Sequence, residues 1–310
     1  MKYKRLVPFL MQASNVLPRR HALTGSVSEL SCSPFFVFGS GRNGSTMFSA
    51  MLDAHPDIVV PTEQWRLPNV IIKYQLMNFL EWRDLVSIAV SEFTATEGAI
   101  KWNLQSGDLL TKLYHLPKKE QSLQRIIDEI YVAYGKQQKE QFQIWGDKTP
   151  RNTFYLKDIY RVFPESKYIF LMRDGRDVVR SWIVRDKTDD IESRADAWNF
   201  SVDMYDWIQK RAADRLMMVR YEELVSDAPI ILQKVAAFLG VPYSEKMLEY
   251  HGFTQKLGDD IVEASNFQKV RVKPNTTSIG KWKKDLTTTQ IDTLNQMMGK
   301  NLERFGFELS

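Results

Sequence analysis

Residues 39–46, Gly-Ser-Gly-Arg-Asn-Gly-Ser-Thr, bring together groups that bind phosphate. Glycines let backbone N–H groups converge on an anion, and a hydroxyl residue holds a phosphate oxygen or a magnesium ion. Gly39 and Gly44 have the spacing of a nucleotide-triphosphate loop, and Thr46 takes its hydroxyl position. Ser45 stands where that loop carries lysine. Arg42 offers a planar, fixed cation instead. A magnesium triphosphate would normally want the lysine. A phosphate bearing a sulfuryl group has less charge at its transferable end, and needs neither lysine nor metal as strongly.

A second constellation follows the apolar run 167–172. Arg173 comes directly after it, and Ser181 lies eight residues on, two turns into a helix. That pair could clamp a second phosphate, so the two sites together suggest a nucleotide phosphorylated at two positions.

The elements that must hold these residues alternate. Residues 34–40 (PFFVFGS) read as a buried strand, and Met47, Met51 and Leu52 give the next segment helical spacing until Pro56. Short strands are also expected at 57–60, near 142–147, at 167–172 and at 215–220. Helices are expected over 151–164, 175–185, 230–239 and 287–307, the last opened by a threonine start signal, with 273–290 a glycine- and lysine-bearing loop. Alternation of this kind predicts an α/β fold, a P-loop-like parallel sheet with helices on both faces. Residues 1–33 are expected to be an N-terminal extension, and 34–310 a single domain with a helical acceptor-side insertion at about 69–140.

The 310 residues carry a net charge of +4 with a pI near 8.9, a mild excess that suits an anionic small molecule and does not indicate nucleic acid. Cys32 is the only cysteine, so no intramolecular disulfide can form. No run of about 20 apolar residues marks a transmembrane helix. A soluble, cytoplasmic protein is expected, with a weak membrane-surface contact by residues 1–33 left open.

On these two motifs the sequence resembles the sulfotransferases that use 3′-phosphoadenosine-5′-phosphosulfate (PAPS), closest to the branch containing the tyrosylprotein sulfotransferases and their bacterial relatives. GSGRNGST looks like the family's 5′-phosphosulfate loop, and RDGRDVVRS like its 3′-phosphate motif. The resemblance implies PAPS as donor, adenosine 3′,5′-bisphosphate as product and no metal. It places Gly41, Arg42, Asn43, Gly44, Ser45 and Thr46 on the 5′ side, and Arg173, Ser181 and Arg185 on the 3′ side. Tyr221 falls near the cofactor, as do Ser278 and Lys281 in a closing segment, with Lys283 and Lys284 as alternatives.

In that branch Glu63 matches the catalytic glutamate and Lys148 a lysine beside the bridging oxygen. Arg42 joins them as the third catalytic candidate. Trp65 is expected to help bury Glu63, and Asp147 to orient Lys148. Of the histidines, His115 is the alternative base and His55 is read as structural. The branch's secretory-pathway enzymes carry membrane anchors, so a small or lipid-like alcohol such as a sterol or glycolipid is the expected acceptor. A carbohydrate hydroxyl and a peptide tyrosine are the alternatives. Other classes left open are a kinase using ATP and magnesium, and a protein that binds an adenosine phosphate without turnover.

Overall fold

The computed structural model describes residues 19–26, 30–95, 102–250 and 274–309. In chain order the elements are β1 (Phe35–Phe38), α1 (Ser45–Asp53), β2 (Ile58–Val59), α2 (Leu67–Leu76), α3 (Trp82–Thr94), α4 (Ser106–Tyr114) and α5 (Leu123–Gln138). They continue with β3 (Ile144–Lys148), α6 (Leu156–Val162), β4 (Lys167–Met172), α7 (Gly175–Asp186), α8 (Ile191–Ala212) and β5 (Leu216–Arg220). The last are α9 (Tyr221–Ser226), α10 (Ala228–Leu239), α11 (Trp282–Asp285) and α12 (Thr288–Arg304).

The five strands form one parallel sheet in the order β2-β3-β1-β4-β5. β1 is central: Phe35 lies opposite Gly146 of β3 on one side and Lys167 of β4 on the other. Side chains on a strand alternate between faces. Phe36 and Phe38 therefore enter the core shared with Trp145, Trp198 and the helical region, while Phe35 and Val37 pack against α1, α9 and α10. Both faces are covered, which is why FFVF is apolar throughout rather than alternating. Thr287 starts α12 with a complete capping box through Gln290, so the threonine signal in the sequence marks that helix correctly.

Two expected elements differ. The helix anticipated from residue 151 begins at Leu156, because Pro150–Tyr155 is a 3-10 turn. Its Asn152 donates to Asp147 (2.7 Å), and its Thr153 hydroxyl donates to the Gly39 carbonyl (2.8 Å) and accepts from the Gly39 amide (3.0 Å). These tertiary bonds hold the turn in place of a helix. Within the expected loop after residue 274, Thr276–Ser278 is a 3-10 turn and Trp282–Asp285 a short helix, fixed when Asp177 accepts from the Gly280 and Trp282 amides. Residues 1–18 and 27–29 of the anticipated extension lie outside the described residues. Ala22 bridges Ser122, and Asn78 accepts from the Arg20 and His21 amides.

Candidate active site

Chain segments leaving the carboxyl ends of the strands, where ligands bind in parallel α/β sheets, line a cleft of about 650 Å³. From β1 comes the loop ending at Gly44, which caps α1 with φ +90°. A Cβ at Gly44 would stand 2.4 Å from the Tyr221 ring, so both conformation and space call for glycine there. Gly44 has no side chain to cap the first turn of α1, whose N–H groups and helix dipole favour an anion. Ser45 and Thr46 line the cleft at that point.

The second wall comes from β4 and its helix. Arg173 donates to the Arg42 carbonyl (2.9 Å) and the Ser278 carbonyl (2.6 Å), and its guanidinium lies 4.4 Å from the centre of the Tyr221 ring. Its Nε is buried with no hydrogen-bond partner among the described residues. Trp198 fixes the strand end by donating to the Arg173 carbonyl (3.0 Å). Arg42 bridges the two motifs by donating from Nε to the Ser181 hydroxyl (3.1 Å). Burial above all, then the neighbouring cations Arg185 and Arg173, push the Arg42 guanidinium down to about 10. Among the described residues the cleft is lined by Arg42, Arg151, Arg173, Arg185 and Arg194 against one carboxylate, Glu63. This donor set fits a ligand with two phosphates, and the volume is that of a small-molecule site.

The remaining part of the site follows β2 and β3. Lys148, 4% exposed at its side chain, forms an ion pair with Glu63. The carboxylate reaches the cleft and the buried ammonium stands behind it. Beside them, Trp65 and Phe154 are 60% and 55% exposed and also line the cleft. Phe154 is held by stacking on Phe200 of α8 (5.3 Å between centroids).

Most of the residues singled out in the sequence converge here: Gly41, Arg42, Gly44, Ser45, Thr46, Glu63, Arg173, Ser181, Arg185, Tyr221 and Ser278 all line the cleft. Others do not. Asn43 turns inward and donates to the Leu171 carbonyl (2.7 Å), tying the loop to β4 rather than reaching a ligand. Lys281 precedes α11 and, with the exposed Lys283 and Lys284, stays out of the lining; Asn275 and Thr277 occupy it instead. Asp147 does not orient Lys148 by hydrogen bonding. Successive strand residues point to opposite faces, so its carboxylate accepts from Tyr131 and Asn152 in the core, where burial pushes it up to about 6. Trp65 does not bury Glu63, whose side chain is 37% exposed. His115 bonds the Thr111 carbonyl on α4, outside the lining, and buried His55 bonds the Pro242 carbonyl.

Lining residues that were not singled out include Arg151, Phe154, Trp182 and Arg194. Trp182 and Arg185 are one helical turn apart with Ser181 beside them, and that spacing was the available signal. Among the described residues, no cluster of three or more His, Cys, Asp or Glu side chains could hold a metal ion.

The family model described as "Sulfotransferase family" matches residues 34–245. Protein-tyrosine sulfotransferase 1 of Danio rerio is 27% identical over 80% of this chain and 64% of its own length. Protein-tyrosine sulfotransferase A of Caenorhabditis elegans is 28% identical over 89% of this chain and 68% of its own. The chain thus spans about two thirds of these relatives. The solved sulfotransferase domain of the Synechococcus PCC 7002 olefin synthase aligns with TM-score 0.64 at 20% identity, over 95% of this chain and 99% of that one, and shares the fold. The relatives overturn the cytoplasmic expectation, which had set the tyrosylprotein branch's compartment aside only for want of an anchor. Among the described residues no helix is long and apolar enough to cross a membrane, which does not assign a compartment. They also give no support to a lipid-like acceptor.

Proposed function

This chain belongs to the sulfotransferase family, and on that premise we propose that it moves a sulfuryl group from PAPS to the phenolic hydroxyl of a peptide tyrosine. The supporting observation is that Glu63, ion-paired to the buried Lys148, lines the same cleft as Arg42, Arg173 and Arg185. The segment after β2 supplies the base for the acceptor, those after β1 and β4 hold the donor, and β3, between β2 and β1, brings Lys148 to the reacting oxygen.

The donor supplies a sulfuryl group on a phosphate leaving group. Residues 40–46 would hold its 5′ phosphate against the α1 N-terminus, with Arg173, Ser181 and Arg185 at the 3′ phosphate. Glu63 accepts the proton of the acceptor hydroxyl as its oxygen bonds to sulfur. The bond from sulfur to the bridging oxygen breaks, and Lys148 offsets the negative charge gathering on that oxygen. The released nucleotide is adenosine 3′,5′-bisphosphate, and the proton leaves from Glu63.

Two features favour a tyrosine acceptor over an aliphatic alcohol: the names of the relatives, and the exposed Trp65 and Phe154 rings that line the cleft with Glu63. Such faces pack against an aromatic ring with about 0.5–1.5 kcal/mol beyond burial alone. The test is transfer of labelled sulfate from PAPS to a tyrosine-containing peptide, the same peptide with phenylalanine, and a sterol. Label on the tyrosine peptide alone is expected. Label on the sterol and not on tyrosine would overturn the acceptor assignment.

A further inference from the structure

Trp182 follows Ser181 on α7 and lines the cleft, yet the chemistry above gives it no task. Three guanidinium groups surround its ring. Arg194 lies 4.6 Å from a ring centroid, Arg185 5.3 Å and Arg42 6.0 Å. They arrive from three separate segments: α8, α7 and the loop after β1.

Like charges gathered this closely repel, and arginines with access to water would ordinarily spread apart. Two features oppose that here. The indole face attracts each cation, and Asp186 accepts from Arg194 (3.1 Å) while lying 3.6 Å from Arg185. Neither saturates the cluster. The Arg194 Nε is buried without a hydrogen-bond partner among the described residues. Among the described residues the one carboxylate lining the cleft, Glu63, is paired with Lys148. An anion entering beside Ser181 would meet a set of donors already assembled.

We propose that Trp182 is the positioning residue that holds Arg185 and Arg194 together at the second phosphate site, with Arg42 at the outer edge of its ring, and that Arg194 is a further contact for that phosphate. This rests on the nucleoside 3′,5′-bisphosphate assignment given above. The ring prepays the convergence of charge, so the cluster need not assemble as the nucleotide arrives.

Calorimetric titration with adenosine 3′,5′-bisphosphate and adenosine 5′-phosphate tests it on wild type, Trp182→Leu, Trp182→Phe and Arg194→Gln. Trp182→Leu is expected to weaken the bisphosphate about tenfold and the 5′-phosphate less than about twofold. Trp182→Phe keeps an aromatic face and should recover most of the loss. Arg194→Gln, at a partly exposed site that does not threaten folding, should weaken the bisphosphate about tenfold with the same selectivity. Equal effects on both nucleotides, or none, would overturn the proposal. A wild type that does not prefer the bisphosphate would instead remove the donor assignment on which it stands.

Discussion

Replacing Gly44 by alanine tests the geometry of the phosphate loop at one atom. The residue has φ +90°, a conformation that strains an L side chain by roughly 1–2 kcal/mol. The new Cβ would also fall 2.4 and 2.6 Å from two carbons of the Tyr221 ring. That ring is 6% exposed and packed into the core beneath Arg173, so it has little room to withdraw. Overpacking of this kind costs about 1–3 kcal/mol, and the two effects sum to a loss of roughly 2–5 kcal/mol. Denaturant unfolding of wild type, Gly44→Ala, Tyr221→Ala and the double variant separates them. Removing the ring is itself costly, but it should abolish the clash and leave the backbone strain. A coupling energy of about 1–3 kcal/mol between the two changes is expected. Additive losses, or a Gly44→Ala variant as stable as wild type, would refute the reasoning. Displacing the ring also moves the support of Arg173, so Gly44→Ala should bind adenosine 3′,5′-bisphosphate more weakly.

Asp147 makes stability depend on pH in a defined direction. Its folded value of about 6 lies above the ordinary 3.8, chiefly through burial, so the folded state takes up the proton more readily than the unfolded chain. Its contribution is therefore most favourable below pH 4, falls as pH rises to 6 and is then constant. Relative to Asp147→Asn, wild type should lose on the order of 3 kcal/mol between pH 4 and pH 7 in urea unfolding, and a flat difference would contradict this. Glu63→Gln should lower turnover by about 10²–10⁴-fold while leaving bisphosphate binding intact, read by single-turnover transfer and calorimetry. Trp65→Ala and Phe154→Ala should raise KM for a tyrosine peptide about tenfold without changing nucleotide affinity, and unchanged KM would place the acceptor elsewhere.

The convergence of the residues after β1 and β4 on one cleft was legible because they are contiguous with strands that declare themselves. An apolar run ending in glycine, then a helix, places Arg42 to Thr46; a second run places Arg173, and helical spacing carries on to Ser181 and Arg185. Residues converging from unrelated segments were not legible. Arg194 joins Trp182 from another helix, and Phe154 sits on a turn whose shape depends on bonds to Asp147 and Gly39. No periodicity reports those bonds. The ion pair between Glu63 and Lys148, 85 residues apart, also depends on the sheet, which sets β2 beside β3. Asp147 is the instructive error. The alternation of a strand sends it to the face opposite Lys148, and that rule was available from the sequence alone.

The measurement that bears most directly on the nucleotide assignment is calorimetric binding of adenosine 3′,5′-bisphosphate and of ATP with magnesium, to wild type and to Arg173→Ala. Arg173 gives two hydrogen bonds, packs on Tyr221 and retains a buried Nε without a partner among the described residues. Tight binding of the bisphosphate, weak binding of ATP, and loss of the former in Arg173→Ala are expected. Binding of ATP with magnesium in preference to the bisphosphate would contradict the donor assignment and favour a kinase.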